Sequence, residues 1–510
     1  MKKSEQIFNR LSLRQKINQM FILGFEETSI KENSNIVNLL KNSLGGVILF
    51  AKNIESYEQC AELNRQILSY SDITPFISVD QEGGLVDRFI NIDDKQQIEF
   101  LSPMLLGLTK NEELIKNHTK VKAQLLKMLG FNMNYDPLLD VNSCVKNPII
   151  SIRSLSDETE NVYKYSPFIY KTQSQEYIIP VVKHFPGHGD ATVDSHLNMP
   201  IIDLNFEDLE KIHIKPFIEA IKDGIDAIMV AHVNYKAFDP DTNTPASLST
   251  KVINDYLRQK LSFDGLIISD DMTMGGVTKD FTRFEAVKKA ITAGVNTFIY
   301  QHSDEETLLL LDNLEKAVIN GEISEKLINN SALKVLELKE KFGLLDKIMI
   351  INDIETSKIS KLKENTQEIA KNAVHFIKKG KFDKKLKTAI IMPNKKDIFN
   401  YSKDKSIEEY KLNLDNYEFI TYPLKATNAD VEKIVTNLGA YEQLIFISYN
   451  SEVFTEQINL FNSLKQLPIT TIIGGNISDE NLYLTNSKSV IAACSLNDLT
   501  LDSVFKLLEI

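Results

Sequence analysis

The sequence predicts an α/β fold in two parts: a TIM-type (β/α) barrel, followed by a smaller open α/β domain with the layers of an αβα sandwich. Over roughly the first 345 residues, eight short apolar runs alternate with longer amphipathic segments, which is typical of parallel strands joined by helices. Eight such units favour a closed barrel, and ionisable residues directly follow several runs, as at the carboxyl-terminal face of a barrel. The 510 residues also exceed one ordinary core.

The barrel strands are predicted from apolar runs with about the length of strands buried on both faces. Helical patterns lie between them, for example over residues 56–68, 206–222 and 284–292. A helix over 324–341 is expected to end the domain, because Gly343 follows it. The eight predicted strands comprise residues 20–25, 46–50, 75–79, 131–135, 178–183, 227–230, 265–269 and 295–300.

The predicted domains are a catalytic barrel over residues 1–345, a helical linker over 346–379 and an α/β sandwich over 380–510. Helical patterns at 430–437 and 456–464 separate the strands of the last domain, which indicates a small open sheet with helices on both faces. This domain could brace the barrel, cover the cleft or mediate dimerisation. Its predicted strands comprise residues 388–392, 419–422, 444–448, 469–473 and 490–493.

Composition excludes several function classes. The net charge of −12 makes nucleic acid and anionic membranes poor partners. Cys60, Cys144 and Cys494 are widely separated, so neither a zinc site nor a disulfide framework is indicated, and a reducing compartment is expected. No long apolar stretch follows Met1, which predicts a cytoplasmic protein if Met1 is the natural start. A chain whose signal peptide had been removed would look the same.

Residues 183–196, KHFPGHGDATVDSH, contain three of the eight histidines and two aspartates. The apolar run before them predicts a strand that ends at Lys183 and His184, and the glycines after it predict a mobile loop. Asp194 and His196 lie at the end of that loop. A carboxylate two residues from an imidazole can orient the ring and raise its pKa, as a proton donor near neutral pH requires.

Histidine-rich segments also bind metals, so His184, His188 and His196 could instead be ligands. Their irregular spacing matches no compact metal signature, and we expect neither a metal nor a cofactor. His232 directly follows another predicted strand and is interpreted as a core histidine or one that supports the site.

Two further segments carry candidate sugar-binding groups. Asp80 follows a predicted strand, and the glycine pair at 83–84 allows a tight turn that lets Asp80 and Arg88 point at one spot. There Asp80 could accept hydrogen bonds from sugar hydroxyls, although a turn with a surface ion pair is equally compatible. Arg153, in the loop after the fourth strand, could donate to a substrate carbonyl or carboxylate, but a lone loop arginine is more often solvated.

Asp270 and Asp271 directly follow a predicted buried strand, 265–269. A charge in such a place is costly unless it is paired or used. One of the two carboxylates could attack the anomeric carbon of a sugar and hold it covalently. The alternative role, capping the next helical segment, suits Asp271 better than Asp270.

With these residues in hand, the chain resembles family 3 glycoside hydrolases, in particular their β-N-acetylglucosaminidase branch. The resemblance covers the whole first domain, and the second domain matches in architecture only. Leu85 is a departure, because the family often has arginine there, which weakens any contact expected from that side chain. The matching motifs, in the same order as in the family, are residues 80–84, 152–154, 183–190 with 194–196, and 269–272.

The resemblance implies that Asp270 is the nucleophile, that His196 is the general acid/base and that Asp194 orients it. The residues that it implies for gripping the N-acetylglucosamine ring are Asp80, Arg88, Arg153, Lys183 and His184.

The implied activity is that of a retaining exo-β-N-acetylglucosaminidase, which removes terminal β-linked N-acetylglucosamine from peptidoglycan fragments such as muropeptides or disaccharides. A β-N-acetylglucosaminide phosphorylase is the nearest alternative, because a neutral imidazole repels phosphate less than a carboxylate does. A β-glucosidase and a non-catalytic sugar-binding protein are further alternatives. The oligomeric state stays open.

Overall fold

The computed structural model describes residues 2–93, 95–192, 199–240, 243–346, 350–398 and 416–510. It confirms the predicted fold class. A barrel of parallel strands forms the first part of the chain, and a separate six-stranded sheet with helices on both faces forms the second. No helix in these ranges is both long and apolar enough to cross a membrane.

All eight predicted barrel strands are confirmed, and the fifth is split in two by Val181. The sheet has nine strands in the order β5-β4-β3-β2-β1-β11-β10-β8-β6, and every pairing is parallel. The strands at the two ends of this order, β5 and β6, are consecutive in the chain and separated only by Val181, so the sheet closes into a barrel. A second small sheet pairs β7 with β9. The strands are β1 (Phe21–Leu23), β2 (Gly46–Leu49), β3 (Phe76–Val79), β4 (Met133–Asn134), β5 (Ile179–Pro180), β6 (Val182–Phe185), β7 (Ile201–Ile202), β8 (Ala227–Val230), β9 (Asn234–Tyr235), β10 (Leu266–Asp271) and β11 (Thr297–Tyr300).

Helices surround this barrel. The predicted segment over residues 206–222 is one continuous helical run whose middle, Leu209–Ile214, is a π-helix, and a second π-helix spans Lys251–Lys260. The α-helices are α1 (Lys3–Phe8), α2 (Leu13–Gln19), α3 (Asn35–Leu40), α4 (Tyr57–Ser69), α5 (Pro103–Thr109), α6 (Glu112–Leu129), α7 (Thr159–Gln175), α8 (Phe206–Asp208), α9 (Lys215–Lys222), α10 (Gly275–Thr278), α11 (Arg283–Ala293), α12 (Glu305–Ile319) and α13 (Glu325–Lys341).

The second domain follows helix α14 (Thr356–Ala373), and its sheet has the order β12-β17-β16-β15-β13-β14. Its five predicted strands are confirmed. The strand β12 (His375–Lys378) is an addition, because the sequence pattern predicts continued helix there. It pairs antiparallel with the edge of an otherwise parallel sheet, and its side chains are only half-buried, so it lacks the apolar run of the other strands. The remaining elements are β13 (Thr388–Pro393), α15 (Lys395–Ile398), β14 (Tyr417–Tyr422), α16 (Asn428–Thr436), β15 (Gln443–Ser448), α17 (Glu456–Ser463), β16 (Ile469–Ile473), α18 (Glu480–Tyr483), β17 (Ser489–Ala492) and α19 (Asp498–Leu507).

A buried ion pair supports the barrel just behind strand β3. Lys122, on α6, donates to the Asp136 carboxylate at 2.8 Å and to the Glu82 carbonyl oxygen at 2.9 Å. The Gln173 side chain donates to the same carboxylate at 2.8 Å. Both charged side chains are almost fully buried, so each charge depends on the other for compensation.

We expect Lys122→Met to lower the free energy of unfolding by about 3–5 kcal/mol, because it leaves the buried Asp136 carboxylate without its cation. Urea unfolding would measure this. The matched control is Lys171→Met, which breaks an ion pair with Asp223 whose side chains are 51% and 35% exposed, where a loss of about 0–1 kcal/mol is expected. Equal losses in the two variants would contradict the assignment.

Candidate active site

A cleft of about 590 Å³ opens at the carboxyl ends of the barrel strands, within the size range of small-molecule sites. It brings together six of the eight predicted site residues, which lie in strands β6 and β10 and in the loops after β3 and β4. The other two, Asp194 and His196, lie outside the described residues. The predicted residues that line the cleft are Asp80, Arg88, Arg153, Lys183, His184 and Asp270.

Lys183 lies at the centre of the polar wall. Its ammonium contacts a carboxylate oxygen of Asp80 at 2.8 Å and one of Glu82 at 2.6 Å. The side chain is only 2% exposed. Burial by itself lowers the pKa of Lys183, but the two carboxylates outweigh this and raise it. The lysine therefore stays charged and fixes two groups of the β3 turn relative to strand β6.

Arg153, in the loop after strand β4, also belongs to this network. Its Nε and Nη2 atoms each donate to one oxygen of Glu82 at 2.8 Å, a bidentate geometry that restricts both planes. Glu82 is fully buried, and burial alone raises its pKa, yet Arg153 and Lys183 together hold the pKa well below its usual range. Glu82 is thus a permanent anion that orients two cations toward the cleft.

The turn that carries these groups depends on its two glycines. Gly83 and Gly84 have φ angles of 105° and 62°, which favour glycine. A Cβ at Gly83 would lie 2.3 Å from the carbonyl oxygen of Leu101, and one at Gly84 would lie 2.8 Å from the Cβ of Ser102. The turn therefore packs directly against the segment before α5. The sequence correctly predicts this tight turn.

Arg88 lies at the other end of the turn. Its guanidinium contacts Asp80 at 3.4 Å and lies 5.5 Å from the Phe50 ring centroid. Burial raises the pKa of Asp80, but Lys183 and Arg88 outweigh burial and lower it. Asp80 and Arg88 thus share one spot, as the sequence predicts, and they form a half-buried pair that lines the cleft rather than an outer surface.

Asp140 holds the start of the histidine loop. Its carboxylate lies 2.7 Å from His184 Nδ1 and accepts the backbone amides of His184 at 3.2 Å and of His188 at 2.6 Å. Burial alone raises the pKa of Asp140, but the two histidine rings and the His188 amide outweigh burial and lower it. The His184 ring, which lines the cleft, is therefore fixed by a buried anion.

His188 has a different electrostatic character. It is buried, and burial followed by the nearby His184 lowers its pKa to about 4. At neutral pH it is an uncharged imidazole, which suits hydrogen bonding or packing better than proton donation. Its ring centroid lies 5.9 Å from that of His184. Asn147 ties the carbonyl oxygens of His188 and Gly189, at 2.9 and 3.0 Å, to the loop before Arg153.

The two aspartates at the end of β10 differ in their partners. Asp271 accepts the amide and the hydroxyl of Thr273 at 3.0 and 2.8 Å, and burial raises its pKa. Its carboxylate thus fixes the local turn, but it does not cap the next helix, because the N-cap of α10 is Met274 and no side chain caps that helix. Asp270 is less buried, lines the cleft and accepts the amide of Asp271 at 2.8 Å. His232 is buried behind them and bonds to Ser247 and to the Asp271 carbonyl.

Two site residues are not singled out by the sequence: Glu82 and Asp140. Glu82 lies two residues after Asp80, inside the motif, and its partner Arg153 is 71 positions away. Asp140 follows the apolar pair at 138–139 after the fourth strand, so its place after a strand is the signal that could have found it. In the part of the chain that the structure describes, no group of three or more His, Cys, Asp or Glu could hold a metal.

Over its barrel domain the chain is similar to known proteins. The family model for the glycosyl hydrolase family 3 N terminal domain matches residues 12–338. A β-hexosaminidase from Nitrosomonas eutropha is 33% identical over 301 residues, which is 58% of this chain and 84% of the relative. β-Hexosaminidase A from Pseudoalteromonas piscicida is 30% identical over 322 residues, and the chain spans 53% of that longer relative.

Solved structures extend the likeness to both domains. A family 3 β-N-acetylglucosaminidase from a Paenibacillus species superimposes with a TM-score of 0.85 at 26% identity, covering 98% of this chain and 96% of that chain. A β-glucoside phosphorylase superimposes with a TM-score of 0.75 at 18% identity, covering 99% of this chain and 93% of that one. The second likeness concerns the fold alone.

We expect His188→Gln to change the pH dependence of stability. The pKa of His188 is about 4 in the folded protein and about 6.5 in an unfolded chain. The unfolded chain therefore takes up the proton first, and the wild type loses stability as the pH falls from about 6.5 to 4, by on the order of 3 kcal/mol from this group. Thermal unfolding of both proteins across this range would measure the difference, and identical slopes would contradict the buried neutral state.

Proposed function

Because the chain belongs to glycosyl hydrolase family 3, it is a glycoside hydrolase, and we propose that it is a retaining exo-β-N-acetylglucosaminidase. The observation that carries the proposal is the position of Asp270. Asp270 is the second-last residue of strand β10, and it lines the same cleft as the ion-paired wall formed by Asp80, Glu82, Arg153 and Lys183. A nucleophile opposite a rigid set of donors and acceptors suits attack on a held sugar ring.

The polar wall supports recognition of a neutral, hydroxyl-rich ligand. Asp80 has acceptor positions beyond its contacts with Lys183 and Arg88, since a carboxylate accepts about four hydrogen bonds. Lys183 and Arg88 retain N–H groups that can donate to ring hydroxyls. Because the ion pairs fix these side chains before a ligand arrives, binding loses little side-chain entropy. In our proposal this set, with Arg153 and His184, grips the N-acetylglucosamine ring.

The proposed reaction has two steps. Asp270 attacks the anomeric carbon while protonated His196 donates its proton to the glycosidic oxygen, so that the bond to the aglycone breaks and a glycosyl-aspartate ester forms. Neutral His196 then takes a proton from water, the hydroxide oxygen attacks the anomeric carbon, and Asp270 leaves as a carboxylate. Asp194 stabilises the cationic form of His196 in both steps.

The proposed substrates are peptidoglycan fragments with a terminal β-linked N-acetylglucosamine, and the proposed compartment is the cytoplasm. The curated relatives named as β-hexosaminidases support the sugar. The three cysteines, Cys60, Cys144 and Cys494, are free thiols in the structure, which agrees with a reducing compartment. A phosphorylase is the alternative to exclude, by measuring whether added phosphate changes the product from free sugar to sugar 1-phosphate.

We expect the wild type to hydrolyse an aryl β-N-acetylglucosaminide much faster than the matching glucoside and to release the β-anomer first, as NMR of the fresh product would show.

Asp270→Ala should abolish turnover, because no carboxylate remains to form the ester. Asp271→Asn is the matched control on the adjacent residue, and it should retain most activity because an amide oxygen still accepts from Thr273. Normal activity in Asp270→Ala would refute the nucleophile assignment.

We expect His196→Ala to lose about 10²–10⁴-fold in rate on substrates that need leaving-group protonation. The first step should suffer far less with an activated aryl leaving group, which departs without a proton. Single-turnover kinetics with the activated aryl glycoside and a natural disaccharide would separate the two. An equal loss on both substrates would argue against the acid/base role.

A further inference from the structure

The second domain reaches the barrel close to the candidate active site. Its parallel strands end in loops, and the loops after β15, β16 and β17 all face the barrel. They contact two places there: Ser151, which begins the turn that carries Arg153, and residues 99–104, which pack on the glycine turn after Asp80. Each of these two places adjoins one partner of the Glu82–Arg153 ion pair.

Asn450, in the loop after β15, makes the first contact. Its side-chain oxygen accepts the Ser151 hydroxyl at 3.2 Å and the backbone amide of Asn476 at 2.7 Å. The second bond requires a glycine beside it, because a Cβ on Gly475 would lie only 2.5 Å from that oxygen. Gly475 thus has a packing role. Asn450 itself has a φ of 49°, a conformation that asparagine tolerates.

Contacts of the neighbouring Ser451 within the second domain fix the loop around Asn450. The amide of Ser451 donates to both oxygens of the buried Asp479 carboxylate, each at 2.8 Å. The Ser451 hydroxyl contacts the Tyr483 hydroxyl at 2.6 Å. Asn450 is therefore presented to the barrel from a fixed point, and its contact with Ser151 can restrain the turn that carries Arg153.

Asn497 makes the second contact. Its side-chain oxygen caps α19 by accepting the Thr500 amide at 3.1 Å, and its side-chain nitrogen donates to the Phe100 carbonyl at 3.1 Å. The same Phe100 carbonyl accepts the Gly84 amide at 3.0 Å. One oxygen thus joins the second domain to the turn that carries Glu82.

We propose that Asn450 and Asn497 are positioning residues, through which the second domain holds the Glu82 and Arg153 loops in register for sugar binding. The kinetic part of this proposal rests on the proposed function. A displaced Arg153 turn would weaken ground-state and transition-state binding of the sugar alike, so that KM rises more than kcat falls. Partial unfolding would instead lower the active fraction and leave KM unchanged.

The test uses the full chain and four variants. Asn450→Gly removes the side chain at a φ that glycine accepts, and Asn450→Asp keeps an oxygen acceptor and serves as the matched control. Asn497→Ser keeps a helix-capping oxygen but removes the donor to Phe100. Lys363→Ala is a second control. It removes a different contact with the barrel, the hydrogen bond from the Lys363 ammonium to the Lys95 carbonyl.

With an aryl β-N-acetylglucosaminide we expect KM to rise about 5- to 10-fold in Asn450→Gly and Asn497→Ser, because each variant loses one hydrogen bond to the barrel, with kcat within about twofold. Asn450→Asp and Lys363→Ala should match the wild type. Adding Ser151→Ala to Asn450→Gly should raise KM no further than Asn450→Gly alone, since both changes break the same bond.

Amide hydrogen exchange makes the test independent of activity. We expect faster exchange at residues 153–154 in Asn450→Gly and at Gly84 in Asn497→Ser, with unchanged exchange in β10. Wild-type exchange and wild-type KM in both variants would overturn the proposal. A wild type that fails to cleave N-acetylglucosaminides would refute the proposed function, and exchange would still decide whether the second domain positions the loops.

Discussion

The Lys183 ammonium, held between the carboxylates of Asp80 and Glu82, is the interaction on which the rest of the site depends. Lys183 belongs to β6, the strand half at which the barrel closes, whereas both carboxylates follow β3. An ammonium buried to this degree is stable only with such compensation. The contact therefore fixes two distant parts of the barrel relative to each other before any ligand enters.

The network extends from this lysine by shared oxygens. Glu82 also accepts a hydrogen bond from Arg153, and Asp80 also pairs with Arg88, so that both arginines are held in place as well. In this way three cationic side chains meet two carboxylates, and the wall presents many donors and acceptors in fixed directions with little excess charge. Such a surface suits a neutral sugar, which offers hydroxyl groups but no charge for a single strong contact. Asp140 does the same for the histidine side of the cleft, where it fixes the His184 ring.

Much of the fold and part of the site could be predicted from the sequence, because both follow from local patterns. The barrel strands are apolar runs, and Asp80, Lys183 and Asp270 are recognisable as polar residues directly after such runs. Glu82 and Asp140 could not be singled out in this way, since their importance comes from partners 44 or more positions away. Strand β12 was not predicted, because a half-buried edge strand need not contain an apolar run. Asp194 and His196 remain predictions, as they lie outside the described residues.

The carbonyl of Phe100 has a consequence for how the two domains can be recombined. It belongs to the barrel, yet it accepts hydrogen bonds from Gly84 and from Asn497 of the second domain. A chimaera that exchanges the C-terminal half with that of a homologue would need to carry over residues 99–104 as well, although they lie some 250 positions before the domain boundary. The set of residues to exchange together is thus defined by this contact surface and not by the position of the domain boundary in the sequence.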